Sequence, residues 1–293
     1  MNRARVIVFT FILLTFGFTA WAGQTNLADH ILKLAEEYKA RMRAARTDQA
    51  LGVALGKCGE TWLAIAAGLG RKVKDPGPRL FLDQAGKDYQ KRLAKSREPQ
   101  NAQIAGLNLL YQSLDTAAFI LAKRNRDESA LNEIKIAEER VMAVAGQTGT
   151  GRAGPVLAAL SGGALTMLAV TARQLDRKGK MTGVLTAELA RRRAVDANIA
   201  QLKDTGPKER ILLLTNNHLY GALSMVQIIG LVQEPGLRSR LRKVEEGLVK
   251  VKDADLESQV LAGAKALAEA GFITGPVFES ISLADESGRK TPE

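Results

Sequence analysis

The sequence is short of the residues on which covalent cross-links and metal sites are built. Cys58 is the only cysteine among the 293 residues, so no disulfide can form within the chain and its stability has to come from apolar packing. The two histidines, His30 and His218, stand in none of the spacings typical of zinc sites. A C-x-x-C-H motif for covalent haem attachment is also absent. We therefore predict no metal and no cofactor.

Acidic residues are absent before Asp29, and the N-terminal segment has the pattern of an export signal. Arg3 and Arg5 precede an apolar run over residues 6–20, and the sequence AWA ends at Ala22. A basic start, a short apolar run and an A-x-A site are typical of a secretory signal peptide, and the run is short for a membrane anchor. We predict a signal peptide at residues 1–22, cleavage after Ala22 and a periplasmic protein.

The exported chain is basic. Without Arg3 and Arg5 the 42 basic residues fall to 40 against 31 acidic residues, which leaves a net charge of +9. In a cytosolic protein this excess would favour nucleic acid as a partner, but an exported protein rarely meets nucleic acid. We therefore expect an envelope protein or an anionic membrane surface as the partner, and no nucleic acid.

The sequence shows no convincing alternation of polar and apolar residues, which is the pattern of a β-strand, and helix-forming residues are the most common. Apolar residues recur every three or four positions, as in Leu27, Ile31, Leu34, Tyr38 and Met42. Seven of the eight prolines, Pro276 among them, stand where such a pattern stops or restarts, which is typical of helix ends. The sequence predicts an all-α protein with eight helices up to residue 233, followed by a helical hairpin.

Three segments of the first half match segments of the second half in the same order. Residues 32–37, 54–65 and 108–122 match residues 134–139, 159–170 and 217–231, at offsets of 102, 105 and 109. This predicts a tandem duplication of a four-helix unit, with a helical-repeat or bundle-like architecture. The predicted parts are a signal peptide (1–22), a first unit (23–125), a second unit (126–234), a C-terminal hairpin forming a partial third unit (235–275) and a flexible tail (276–293).

After the predicted signal peptide, the longest segment without a lysine, arginine, aspartate or glutamate is ILLLTNNHLYGALSMVQIIGLVQ, at residues 211–233. Polar side chains in such an apolar helix are costly to bury without partners. Two interpretations stay open: hydrogen bonds that fix the register of a buried bundle, or a ligand pocket between the two units. For the second interpretation the candidate ligand-binding residues are Tyr111, Asn216, Asn217, His218 and Tyr220.

No set of a nucleophile with a general base can be recognised, and we predict no catalytic residue. The nearest glycine-flanked serine, Ser161, precedes Gly162 and Gly163 in the middle of a predicted helix, outside a G-x-S-x-G motif. Small residues recur at the matching positions 56 and 58. The pattern therefore indicates close helix contact at these positions.

Basic residues cluster on the third and seventh predicted helices. If the two helices share a face, they form a basic surface suited to an anionic lipid or an acidic protein. The candidate residues are Lys87, Lys91, Arg92, Lys95, Arg191, Arg192 and Arg193.

The sequence leaves three functions open. The first is a non-enzymatic helical-repeat protein that acts as a binding or scaffold module for an envelope partner, since repeats create extended binding surfaces. The second is a periplasmic carrier of a small apolar or lipid ligand held between the two repeats. The third is an enzyme of unknown class. A scaffold requires a patterned exposed face, whereas a carrier requires an enclosed cavity.

Overall fold

The computed structural model describes residues 27–44, 47–71, 75–96, 98–145, 152–176 and 179–283. The predicted signal peptide lies outside these residues. The described part is all-α, as predicted, with ten α-helices and no strand. In chain order the helices are α1 (Leu27–Ala44), α2 (Thr47–Gly70), α3 (Gly77–Lys95), α4 (Pro99–Asn125), α5 (Glu128–Ala145), α6 (Ala153–Leu175), α7 (Thr182–Gln201), α8 (Pro207–Gln233), α9 (Arg238–Val249) and α10 (Leu256–Leu283).

The even-numbered helices form a closed inner ring. Helix α2 packs against α4, α4 against α6, α6 against α8, α8 against α10, and α10 returns to α2. Each odd-numbered helix lies outside this ring, and α1, α3, α5 and α7 each contact the two inner helices beside them. The chain therefore folds as five consecutive αα-hairpins, each with one outer and one inner helix. Short connections between successive helices favour this antiparallel order.

Local patterning explains why the layers separate in this way. Outer helix α1 buries a single stripe, Leu27, Ile31, Leu34 and Tyr38, as its spacing predicts. Inner helix α2 is buried on most sides and is apolar or small at most positions, because it has neighbours all round. The buried residues of all five hairpins belong to one hydrophobic core, which leaves no separate core for a four-helix unit. The duplication itself stays a prediction.

Glycine sets the closest approach in the ring. Helices α2 and α4 cross with Gly56 and Gly106 in contact, and a Cβ built on Gly106 would lie 2.5 Å from the backbone nitrogen of Gly56. Any side chain at Gly106 would meet backbone that cannot rotate away. This crossing holds the two helices nearer than larger residues would allow.

The C-terminal segment departs from the prediction. Helix α10 continues through Pro276 to Leu283, so the chain does not become a loose tail at residue 276. A proline inside a helix removes one backbone hydrogen bond. Beyond it, Phe278 is fully buried and its ring packs edge-on against Trp62, with ring centroids 5.0 Å apart. This aromatic burial, typically a few kcal/mol, offsets the cost of the proline.

Candidate functional site

A groove of about 830 Å³ lies over α6, between the outer helices α5 and α7. Its floor is formed on α6 by Ala158, Ala159, Gly162 and Thr166. One wall is a face of α5 that runs from Ser129 to Val144. At a rise of 1.5 Å per residue, this wall is about 22 Å long.

Helix α6 is unusually apolar for a helix that borders an open groove. It is one of two described helices long and apolar enough to cross a membrane by length and composition, the other being α4. The most apolar window of α4 is 72 % buried, whereas that of α6, with a mean hydropathy of 1.7, is only 50 % buried. The residues of this part of α6 that are not buried are half-buried, apart from the exposed Pro155, so α6 offers the groove a partly covered strip of small and apolar residues.

The rim of the groove is charged. Arg140 projects from α5, Arg173 from the C-terminal turn of α6 and Arg193 from α7. Glu133 on α5 accepts a hydrogen bond from the Arg173 guanidinium, and its other oxygen lies 3.9 Å from Arg193. Two of these guanidinium groups, those of Arg173 and Arg193, thus lie beside the Glu133 carboxylate.

A buried polar cluster closes the groove at α7 and α8. The Asp196 carboxylate accepts a hydrogen bond from Asn217 Nδ2 at 2.8 Å and another from His218 Nε2 at 2.9 Å. Asn217 also donates to the backbone oxygen of Arg192 at 2.9 Å and accepts from the Arg192 guanidinium at 3.1 Å. Every polar atom of the Asn217 amide is used, so this cluster fixes α7 against α8.

Ser161 completes a line of hydrogen bonds with this cluster, since its Oγ lies 2.8 Å from His218 Nδ1. A carboxylate only accepts hydrogen bonds, so the proton of a neutral His218 belongs on Nε2. Nδ1 is then an acceptor for the Ser161 hydroxyl, whose single proton is shared with the Ala158 carbonyl oxygen at 3.0 Å. The order serine, histidine, aspartate has the connectivity of a nucleophile with its base. Sequence reasoning did not find Asp196, because it is 22 residues from His218 and on another helix.

The surroundings of Ser161 are those of a structural residue. Its side chain is 3 % exposed and does not line the groove. Residues 161–163 lie inside α6, so their backbone amides point along the helix and form no oxyanion hole. A Cβ built on Gly162 would lie 3.2 Å from the His218 ring. Ser161 and Gly162 thus hold the imidazole of His218 in place between α6 and α8. Close helix contact at these positions is what the sequence pattern predicts.

The five predicted ligand-binding residues do not converge on one site. His218 lines the groove, and Asn217 lies beside it in the polar cluster. Tyr111 lies behind the floor, against Gly163, where burial raises its pKa and nearby Asp115 and Glu138 add to the shift. Tyr220 packs on Gly263 of α10 instead. The Asn216 side-chain oxygen is buried without a hydrogen-bond partner among the described residues.

The predicted basic residues form two separate groups. Those of α3 are exposed, but outer helix α5 stands between α3 and α7 in the order of hairpins. Arg192 is not a surface residue, since its side chain is only 11 % exposed and its Nε donates to Glu188 at 2.8 Å. Burial by itself raises the pKa of Glu188, but hydrogen bonds from Arg191 and Arg192 outweigh it and lower the pKa. Arg193 alone of the seven lines the groove.

Comparison with family models, with curated proteins and with solved structures gave no match for this chain.

Proposed function

We propose that this chain is a non-enzymatic binding module, and that the groove between α5 and α7 receives an amphipathic helix of a partner protein in the cell envelope. The observation that carries the proposal is the partly covered apolar strip of α6 that forms the floor of the groove. A long, uncharged helix face between two parallel walls is the kind of surface on which an amphipathic helix buries its apolar stripe. A groove of about 22 Å accommodates about 15 residues of such a helix.

The charged residues on the rim of the groove indicate that the partner helix carries negative charge. Arg140, Arg173 and Arg193 outnumber the two carboxylates that line the groove, Glu133 and Asp196. A helix that carries glutamate or aspartate on both sides of its apolar stripe would place those carboxylates beside the arginines. Such pairs contribute more to specificity and association rate than to affinity.

The experiment uses two designed 15-residue peptides with leucines at helical spacing. One carries glutamate on both flanks of the leucine stripe and the other carries lysine at the same positions. We expect fluorescence anisotropy to show binding of the acidic peptide, and binding of the lysine peptide at least tenfold weaker, about 1.4 kcal/mol. Failure to bind either peptide, or equal binding of both, would contradict the proposal.

Two matched variants locate the binding site. Ile136 is 40 % exposed on the wall of the groove, whereas Val249 is 65 % exposed at the end of α9. Ile136→Glu adds a charge to the groove and should weaken the acidic peptide at least tenfold. Val249→Glu makes the same change on another hairpin and should leave binding unchanged. Equal effects of the two variants would place the peptide elsewhere.

A carrier of a small ligand is the second candidate, because the groove volume of about 830 Å³ lies within the range of small-molecule sites. Native mass spectrometry of the protein purified from its own cells tests this candidate. A bound mass in the range of lipids or metabolites supports the carrier, whereas a stoichiometric polypeptide supports the binding module.

A further inference from the structure

A second, smaller cavity adjoins the groove. It has a volume of about 330 Å³ and lies among α5, α6 and α7. Its apolar lining comes from Ala169 on α6 and from Leu185, Leu189 and Ala190 on α7. This volume is at the lower end of the range found for small-molecule sites.

The polar side of the cavity consists of two arginines and one glutamate. Arg173 and Arg193 both line it, together with Glu133. Glu133 accepts a hydrogen bond from Arg173, whereas its contact with Arg193, at 3.9 Å, is too long for a hydrogen bond. Two guanidinium groups against one carboxylate leave one positive charge in excess beside an apolar cavity.

We propose that this cavity binds a small organic acid, a monocarboxylate with a compact apolar body. The apolar body packs against Leu189 and Ala190, and the carboxylate lies beside the guanidinium groups of Arg193 and Arg173. Arginine presents its N–H groups in a planar fork that matches a carboxylate, so a pair of arginines selects an acid over a neutral molecule of the same shape.

Glu133 acts as an internal competitor in this arrangement. Its carboxylate already occupies the space between the two guanidinium groups, and a bound acid has to share that space with it. Neutralising this side chain should therefore strengthen binding of an external carboxylate. A site that recognised only apolar shape would show no such effect.

The probe is benzoate, compared with the neutral benzamide of nearly the same shape, in titrations followed by NMR at constant ionic strength. We expect benzoate to bind at least tenfold more tightly than benzamide. Arg193→Gln should remove most of this preference. Glu133→Gln should increase the affinity for benzoate severalfold. Thr186→Trp places a large ring at the exposed edge of the cavity and should block both probes.

Controls separate this site from the groove and from the general charge of the protein. Arg242→Gln removes an exposed arginine from α9, and Ile136→Ser changes a residue that lines only the groove and adds no charge. Neither variant should alter the preference for benzoate. Circular dichroism should show that every variant is folded.

Three results would overturn the proposal: no binding of benzoate, equal binding of benzoate and benzamide, or an unchanged preference in folded Arg193→Gln. The cavity shares Glu133, Arg173 and Arg193 with the rim of the groove, whereas Ile136 lines only the groove and Thr186 only the cavity. Weaker peptide binding in Ile136→Ser with benzoate binding intact would support both sites. Benzoate binding without any peptide binding would contradict the groove proposal alone.

Discussion

The crossing of α2 and α4 allows a sharp test of how the ring is held together. Gly106→Ala adds one methyl group to a buried helical position. In an isolated helix this change is favourable by about 1 kcal/mol, because alanine is the better helix former. In the folded protein the new Cβ would lie 2.5 Å from the Gly56 nitrogen and 2.8 Å from the Leu55 carbonyl carbon.

Both of those atoms belong to the backbone, so relief requires the two helices to separate by about 1 Å along the contact. Overpacking of this kind costs typically 1–3 kcal/mol, and more where backbone has to move. We expect Gly106→Ala to be about 2–3 kcal/mol less stable than the natural protein, with Tm lowered by roughly 5–10 °C.

The control is Gly247→Ala, within the helix α9. Gly247 is exposed, and a Cβ built on it would have no atom within 4 Å. This variant should gain about 0.5–1 kcal/mol from helix propensity. Urea unfolding followed by circular dichroism measures both variants. If Gly106→Ala were as stable as the natural protein, the close crossing of α2 and α4 would be refuted.

Two further predictions concern buried titratable groups. Burial raises the pKa of Asp115 from its ordinary 3.8 to about 7, with Glu138 adding to the shift, so the folded protein holds this proton more tightly than the unfolded chain. The stabilisation is complete below about pH 4 and is lost as the pH rises through 7. Between pH 5 and pH 8 the free energy of unfolding should therefore fall by about 2–3 kcal/mol because of this group. Asp115→Asn should remove that fall. If the free energy of unfolding depended on pH in the variant as it does in the natural protein, the raised pKa of Asp115 would be contradicted. Burial also raises the pKa of the Cys58 thiol, which donates a hydrogen bond to the Ala264 carbonyl oxygen at 3.2 Å. A thiol reagent should therefore label the protein only after unfolding. Rapid labelling under native conditions would disprove this burial.

Local patterns predicted the helices well, because helix formation depends on neighbours three and four residues away. The apolar stripe predicted from Leu27 to Tyr38, for example, forms the buried face of α1. Pro276 was misread as a helix end. The sequence around it shows a breaker, whereas the helix continues because Phe278 finds a partner, Trp62, from the other end of the chain.

The site was harder to predict, since it depends on which helix faces meet. The sequence shows His218 as a polar residue in an apolar helix, but its partners Asp196 and Ser161 lie 22 and 57 residues away along the chain. Arg192 looks in sequence like its neighbours Arg191 and Arg193. Only the position of its side chain on α7, turned towards Asn217 and α8, makes it an internal residue.

The sequence by itself determined that the chain is helical and that the segment at residues 211–233, which lies in α8, is apolar enough to pack inside. Those properties follow from propensity and periodicity over one or two turns. Only the tertiary structure decided that the inner helices close into a ring, that the apolar face of α6 stays partly uncovered, and that the arginines of three helices meet beside it. Such features arise from contacts between distant residues, such as Cys58 with Ala264, and no local pattern encodes them.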